Sequence, residues 1–179
     1  MCTRHGADKG ALTADDIVFC DLDGTKIAGK GGPTSEFSMH RMAYRQRSDV
    51  HAVIHAHPPH ATAFAAASAP LDSLMLPEMV VLLGPVALVP YETPGTEQLA
   101  ERLKHYLGTH DGFLLENHGA LTVGSDLREA GYRMELLEHN AQITLNVRQI
   151  GKPFVLPSKE MKELMAIRKK MNQRGSMFG

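Results

Sequence analysis

The sequence predicts a mixed α/β fold in which a central, mixed and largely antiparallel sheet is flanked by helices. Short apolar runs typical of strands alternate along the chain with segments of helical periodicity. Several connections between these runs are too short for the crossover that joins parallel strands, which favours a mixed sheet over a parallel one. At 179 residues the chain fits a single domain over residues 1–179, in which residues 152–179 form a helical extension.

The strands are predicted from apolar and β-branched runs that end at Gly, Pro or Asp. The first two runs are separated by the turn sequence Asp-Leu-Asp-Gly, which predicts a hairpin. The predicted strands are 17–20, 25–28, 50–54, 86–89 and 112–115, with a further strand directly after His118.

The helices are predicted from apolar periodicity and from capping residues. Thr34, Ser35 and Glu36 follow a proline and are predicted to open a helix, with a hydroxyl side chain as its cap and the acid in its first turn. Thr96 is predicted to cap a helix with leucines along one side. Further helices are expected after Pro59, from about 127 to 150 and from about 158, whereas 77–84 suits either a helix or a strand.

The composition is that of an ordinary globular protein: 43% of residues are hydrophobic, 22% are charged and the net charge is −1. No basic excess indicates a nucleic-acid partner, and no apolar run approaches the roughly 20 residues needed to cross a bilayer. Two cysteines, Cys2 and Cys20, do not make a disulfide framework, and the first residues lack the apolar core of a signal peptide. We therefore expect a cytoplasmic protein without nucleic-acid or membrane partners.

The most informative motif is His-Ala-His-Pro-Pro-His at residues 55–60. Side chains two residues apart on a strand project from the same face, so His55 and His57 are placed as a pair at a strand end. His118 follows the predicted strand 112–115 and offers a third imidazole. Three histidines with no evident fourth protein ligand would leave a bound transition metal with an open position, which favours catalysis over a structural role.

A simpler interpretation is that these are ordinary partly buried histidines, because a chain with 10 histidines produces such a pair by chance. Two strand ends that each present an imidazole favour the metal site over this interpretation. His60 falls where a helix should begin and is interpreted as structural, and His139 as a solvated or interface residue.

A metal-assisted reaction also needs a proton acceptor, and Glu36 is the candidate. Its position at the start of a helix has a simpler explanation, since a carboxylate there complements the helix dipole, and the residue pattern alone favours that explanation. Thr34 and Ser35 are likewise ordinary capping residues, although a helix N-terminus with two hydroxyl groups also suits an anion.

Three motifs in order give the chain a resemblance to a known family. They are Pro-Thr-Ser-Glu at 33–36, the histidine motif at 55–60 continued by Ala-Thr-Ala, and Leu-Glu-Asn-His-Gly at 115–119. Their order and spacing resemble the class II aldolase/adducin family, which includes the zinc-dependent L-fuculose-1-phosphate aldolases. The resemblance extends over about residues 3–150.

Residue by residue, the resemblance implies that His55, His57 and His118 bind zinc and that Glu36 is the acid/base carboxylate. It also implies that Thr34 and Ser35 hold a substrate phosphate, with Gly6 in a neighbouring backbone turn. The implied activity is cleavage of a ketose 1-phosphate to dihydroxyacetone phosphate and an aldehyde through a metal-stabilised enediolate. The family commonly forms homotetramers with active sites at subunit contacts.

Two departures from the family pattern qualify this expectation. The chain starts where family members already have two helices and a strand, including a phosphate-binding Asn, so we expect the N-terminal part of the family fold to be missing. The aldolases also use a tail tyrosine as proton donor, whereas no tyrosine follows Tyr132 here. The alternatives are a sugar-phosphate 4-epimerase or dehydratase of the same family, or a metal-binding scaffold without activity.

Overall fold

The structure, a computed structural model, describes residues 1–71 and 75–172. It contains two sheets and five α-helices over these residues. The helices are α1 Phe37–Gln46, α2 Pro59–Ala66, α3 Glu97–Leu107, α4 Leu127–Ile150 and α5 Ser158–Asn172. A 3₁₀ turn covers Ala14–Asp16, and the ambiguous segment 77–84 is helical, with a π-helical turn over Met79–Leu83.

The smaller sheet is antiparallel and has the strand order β1-β2-β3, formed by Cys2–Thr3, Ile17–Cys20 and Lys26–Ala28. The predicted hairpin is confirmed, because β2 pairs antiparallel with β3. The Asp21 carboxylate closes its turn by accepting hydrogen bonds from the backbone N–H groups of Asp23 and Thr25 at 2.9 and 2.8 Å.

The larger sheet is mixed and has the order β4-β7-β6-β5. Its strands are β4 Ala52–Ala56, β5 Val86–Val89, β6 Gly112–Leu115 and β7 Gly119–Gly124. The pairs β4–β7 and β6–β7 are antiparallel, whereas β5 and β6 are parallel and are joined by the crossover helix α3. The predicted mixed, largely antiparallel sheet is therefore confirmed.

Helices cover both faces of this sheet because successive strand residues point to opposite sides. On one face Val53 belongs to a core cluster with residues of α1 and α3, including Met39 and Leu103. On the other face Ile54 packs against a cluster that contains Phe64 of α2 and residues of α4. Thr96 caps α3 as predicted, since its Oγ1 accepts a hydrogen bond from the Leu99 N–H at 3.4 Å.

The predicted start of α1 is wrong in detail. The helix begins at Phe37, Glu36 is its N-cap residue, and no side chain caps it. The Thr34 hydroxyl instead accepts a hydrogen bond from the Glu36 N–H at 3.3 Å. The Phe37 N–H donates a hydrogen bond to the Thr34 carbonyl at 3.2 Å. Thr34 and Ser35 thus form a turn that leads into the helix and leaves the Glu36 carboxylate free for other contacts.

The long α4 agrees with the predicted boundaries, and the final helix begins at the predicted position, Ser158. The predicted helical extension over 152–179 is helical only over Ser158–Asn172, since 152–157 are not helical and 173–179 lie outside the described residues. Arg168 fastens α5 to the rest of the fold, donating hydrogen bonds to the Val81 carbonyl at 3.0 Å and to the Asp111 carboxylate at 2.5 Å. No helix among the described residues is long and apolar enough to cross a membrane.

Candidate metal centre and active site

The strand register brings the three predicted histidines together. His55 lies in β4 opposite Leu121 of β7, and Ala56 lies opposite Ala120, so the end of β4 is beside the start of β7. His118 lies in the tight turn between β6 and β7, where its backbone N–H donates a hydrogen bond to the Leu115 carbonyl at 3.0 Å. A strand end and an adjacent turn therefore present their imidazoles to one another.

The imidazoles of His55, His57 and His118 converge closely enough to share one ion. The potential ligand atoms, one from each ring, all lie within 4.8 Å of one another, and the Nε2 atoms of His55 and His57 are 3.2 Å apart. The His55 ring is buried, His118 is partly buried and His57 is exposed. An ion held here would be enclosed on one side and accessible on the other, which is the arrangement expected of a catalytic metal.

Hydrogen bonding and burial keep His55 and His118 in the form that binds metals. The Nδ1 atom of His55 lies 2.9 Å from the Ala120 carbonyl oxygen, which only accepts hydrogen bonds, so Nδ1 carries the proton and the lone pair is on Nε2, which faces the His57 ring. Burial lowers the pKa of His55 to about 3, with a further contribution from His118. Burial also lowers the pKa of His118, although the nearby Glu36 charge opposes this effect.

A second feature of His118 fits an ion. Its Nδ1 atom is buried, and no hydrogen-bond partner for it is found among the residues that the structure describes. An unpartnered buried nitrogen is costly unless something else satisfies it. Three imidazoles, one with such a nitrogen, are a donor set that suits zinc or a similar divalent ion.

Gly119 provides the space that the His57 ring occupies. A Cβ atom at Gly119 would lie 2.4 Å from the His57 Cδ2 and 2.7 Å from the Ala56 carbonyl oxygen. Any larger residue in this position would displace the ring or the strand end. The glycine after His118 therefore belongs to the site, although the sequence gives it no role of its own beyond the family motif.

Glu36 lies beside the histidines, and its charge is felt at His118. One of its carboxylate oxygens accepts a hydrogen bond from the Gly95 N–H at 3.3 Å. Gly95 has a φ of +75° and approaches the Ser35 carbonyl closely, so a side chain there would be strained. The loop before α3 thus contacts the carboxylate, a long-range contact that no local pattern indicates.

The residues expected near a phosphate are placed on adjoining segments. An isolated bridge pairs Arg4 with Pro33, and the His5 N–H is donated to the Gly32 carbonyl at 2.9 Å. These contacts hold the Gly6 turn, where φ is +69°, alongside the segment that leads to Thr34 and Ser35. Thr34 is partly buried, and Ser35 and Gly6 are exposed.

One residue that sequence reasoning missed reaches the histidine cluster. The Lys9 Nζ donates a hydrogen bond to the His55 carbonyl oxygen at 3.2 Å. Its only signal in the sequence is a position three residues after Gly6, in a stretch that resembles the family. The contact depends on how the N-terminal loop crosses the end of β4.

Two other histidines are placed as the sequence suggested. His60 is structural: its Nδ1 lies 2.7 Å from the Glu138 carboxylate, which also accepts hydrogen bonds from the backbone N–H groups of His60 and Ala61 at the start of α2. His139 is exposed on α4. A separate polar cavity of about 460 Å³, lined by residues that include Arg47, Asp111 and Arg168, lies at the opposite end of β6 from His118.

Comparison with known proteins finds a matching family and several similar enzymes. The family described as Class II Aldolase and Adducin N-terminal domain matches residues 1–145. A 5-deoxy-D-ribulose 1-phosphate aldolase of Bacillus thuringiensis is 36% identical over 151 residues, which are 84% of this chain and 70% of that protein. An L-fuculose phosphate aldolase of Methanococcus maripaludis is 38% identical over 141 residues, covering 79% of this chain and 76% of that protein.

A third relative, a 3-oxo-tetronate 4-phosphate decarboxylase of Haemophilus influenzae, is 30% identical over 172 residues, covering 92% of this chain and 79% of that protein. Among solved structures, an L-fuculose 1-phosphate aldolase superposes with a TM-score of 0.85 and 33% identity, covering 93% of this chain and 78% of that one. The sequence match, the shared fold and the converging histidines agree, and the chain belongs to the class II aldolase and adducin family.

Proposed function

We propose that the protein is a zinc-dependent aldolase that cleaves a ketose 1-phosphate of the L-fuculose 1-phosphate type to dihydroxyacetone phosphate and an aldehyde. The observation that carries the proposal is the convergence of three imidazoles beside the Glu36 carboxylate. Family membership and relatives named as aldolases support an aldehyde-lyase activity.

In this proposal His55, His57 and His118 hold the metal. Bound there, a divalent ion supplies electrostatic stabilisation for the negative charge that develops on substrate oxygens when the carbon–carbon bond breaks. The hydrogen bond from His55 to the Ala120 carbonyl fixes the tautomer and the ring orientation of that ligand. The exposed side of the cluster, at His57, is where the substrate enters.

Glu36 moves the proton. During cleavage the hydroxyl group on the carbon that becomes the aldehyde loses its proton, and a proton is added to the carbon that stays with the ketose fragment. In the proposal the Glu36 carboxylate takes up the proton that the hydroxyl group loses and then gives it to that carbon, and the Gly95 N–H at 3.3 Å orients the carboxylate. Thr34, Ser35 and the Gly6 turn are proposed to bind the phosphate group, since hydroxyl groups and a backbone turn next to a helix start suit an anion.

The proposal also includes a homotetramer and a cytoplasmic location, which follow from the family resemblance. Size-exclusion chromatography with light scattering tests the first of these. A single mass at four times the chain mass of 19.6 kDa is expected.

A second candidate reaction is decarboxylation of a 3-oxo acid phosphate. The relative with that name matches over 92% of this chain, more than either aldolase relative does. The same histidines and Glu36 would serve, because loss of CO₂ from a 3-oxo acid also leaves negative charge on a carbonyl oxygen and a carbon that needs a proton. The two reactions differ in the bond that breaks and in the acid group that the substrate carries.

The test combines metal analysis with a substrate screen. Purified protein should contain about one zinc ion per chain, and His57→Ala should remove it. The zinc-loaded protein is then assayed with L-fuculose 1-phosphate, 5-deoxy-D-ribulose 1-phosphate and 3-oxo-tetronate 4-phosphate, with the products identified by mass spectrometry. Cleavage of the fuculose phosphate supports the proposal, CO₂ release from the oxo acid alone supports the second candidate, and no turnover by zinc-loaded protein overturns both.

The role of Glu36 is tested by Glu36→Gln, with Glu101→Gln on the exposed part of α3 as the matched control. We expect the Glu36 variant to keep its zinc and its fold while turnover falls by about 10²–10⁴-fold, which is the usual contribution of a general acid–base. The control should retain full activity. Full turnover by Glu36→Gln, with lower stability, would instead assign the carboxylate to the helix dipole.

A further inference from the structure

The N-terminal loop places a positively charged side chain, Lys9, beside the backbone of His55. Lys9 donates a hydrogen bond from its ammonium group to the His55 carbonyl oxygen at 3.2 Å. A lysine ammonium has three N–H donors. The described residues provide no ion-pair partner for Lys9, whereas Lys30 in the neighbouring loop is paired with Asp15 at 2.7 Å.

The position of this charge is fixed by the loop that carries it. Arg4 is anchored by its ion pair with Asp16 at 2.8 Å, and the Asp8 carboxylate accepts a hydrogen bond from the Gly10 N–H at 2.9 Å. The loop therefore passes from the Gly6 turn to the end of β4 with Lys9 between two turn contacts. Because β4 is at the edge of its sheet, its outer side is accessible to a side chain from the loop.

The electrostatic effect of Lys9 extends over the site. Its charge adds to the effect of burial in lowering the pKa of His40, one turn after Glu36. A cation hydrogen-bonded to the His55 carbonyl makes this end of β4 more favourable for an anion. The candidate phosphate ligands Thr34, Ser35 and Gly6 are all uncharged, whereas Lys9, three residues after Gly6, carries a positive charge that they lack.

We propose that Lys9 is the anion-binding side chain of this active site, with its ammonium group donating hydrogen bonds to a negatively charged oxygen of the substrate. The oxygen belongs either to the phosphate group or to the part of the substrate next to the metal. Both are oxyanions, and Lys9 lies between the Gly6 turn and the histidine cluster. The inference rests on the proposed function, since it assumes that the metal site binds a phosphorylated substrate.

The experiment measures binding of two simple probes by isothermal titration calorimetry to zinc-loaded protein. Inorganic phosphate represents the phosphate group, and acetohydroxamate represents a metal-chelating anion without phosphate. The variants are Lys9→Met, which removes the charge, and Lys9→Arg, which keeps it. Lys30→Met is the matched control, because it removes an exposed lysine from the adjoining loop.

We expect Lys9→Met to weaken binding of at least one probe by about tenfold or more, as for loss of a charged hydrogen bond. Lys9→Arg should restore most of the affinity, and Lys30→Met should equal the wild type. An effect on phosphate alone assigns Lys9 to the phosphate group, and an effect on the hydroxamate alone assigns it to oxygens beside the metal. Both results support the inference.

Equal affinity of Lys9→Met and wild type for both probes would overturn it. A variant that loses stability or zinc would also overturn it, since Lys9 would then only support the backbone of His55. Failure of the proposed function would look different: the wild type would not turn over any of the three substrates, whatever its probe affinity.

Discussion

Replacing Gly119 with alanine should dismantle the metal site without unfolding the sheet. The added Cβ would lie 2.4 Å from the His57 Cδ2 and 2.7 Å from the Ala56 carbonyl oxygen. Carbon atoms in ordinary contact are about 3.5–4.0 Å apart, so the ring or the strand end must move by about 1 Å. Metal–ligand bonds accept deviations of only about ±0.2 Å, and a shift of that size removes His57 from the ligand set.

The expected loss of zinc affinity is large. Changes to groups that merely orient a ligand lower metal affinity by about 10–100-fold, and displacing a ligand should cost at least the upper end of that range. Competition against a chromophoric chelator measures the affinity of the Gly119→Ala variant. Its metal-free form should unfold with a free energy lower by about 1–3 kcal/mol, the usual cost of overpacking, which denaturant titration measures.

Gly112→Ala is the matched control because Gly112 is also a buried strand glycine, at the other end of β6. A Cβ atom at Gly112 would lie 3.0 Å from a methyl group of Leu83 and 3.4 Å from one of Leu137. These methyl groups are at the ends of side chains, which can move to make room. This variant should lose some stability and keep its zinc affinity. Wild-type zinc affinity in Gly119→Ala would refute the reasoning, because His57 would then not be a ligand.

Two further predictions concern stability. Asp111 is buried and paired with Arg47 at 2.6 Å, Arg168 at 2.5 Å and Arg133 at 3.3 Å. In Asp111→Ala, Arg47 and Arg133 keep Asp49 and Glu129, but Arg168 loses its carboxylate partner while half enclosed by the fold. The free energy of unfolding should fall by about 3–5 kcal/mol in urea titrations, with zinc bound normally by the folded fraction. Burial, with a smaller effect of Lys9, lowers the pKa of His40 from 6.5 to about 4. The unfolded chain therefore takes up a proton at His40 below pH 6.5 while the folded protein does not, so stability should fall as the pH drops from 6.5 to 4, by up to about 3 kcal/mol from this group. His40→Gln should flatten that part of the pH profile of the melting temperature, and an unchanged profile would contradict the low pKa.

The histidine cluster could be predicted from the sequence because its geometry is local. Side chains two residues apart along an extended chain point to the same side. The pairing of β4 with β7 then brings His55 and His57 to the turn that holds His118. The capping of α3 by Thr96 is local in the same sense. Such features depend on backbone periodicity, which a single sequence displays.

The contacts that surround the cluster depend on distant segments and could not be predicted in this way. The Gly95 contact to Glu36 joins residues 59 positions apart, and the Lys9 contact to His55 joins residues 46 positions apart. The wrong start of α1 has a related cause. Thr34 is a residue type that commonly caps helices, but its hydroxyl accepts a hydrogen bond within the turn before α1. The helix therefore starts later, with Glu36 as its N-cap residue.

The turn that carries His118 shows how the fold supports a strained site. Asn117 has a φ of +54°, a conformation that costs a non-glycine residue on the order of 1–3 kcal/mol. Three hydrogen bonds hold the turn in place. The Asn117 N–H donates to the Ala65 carbonyl at 3.1 Å. The Glu116 carboxylate accepts from the Ser68 hydroxyl at 2.5 Å and from the Tyr91 N–H at 3.0 Å.

These contacts come from the last turn of α2, from the segment after α2 and from the loop after β5, so several elements fix the backbone of the turn. The opposite end of β6 has a different character. There Asp111 is satisfied by three arginines, and the ion pairs fasten α4 and α5 to the sheet. The strand thus joins an end where a buried carboxylate is paired with three arginines to an end where His118 keeps a buried nitrogen without a partner among the described residues. A buried nitrogen without a partner and a strained backbone both cost stability, which the rest of the fold must supply. A ligand that binds the His118 nitrogen is the simplest reason for this nitrogen and the strained Asn117 to occur in one turn.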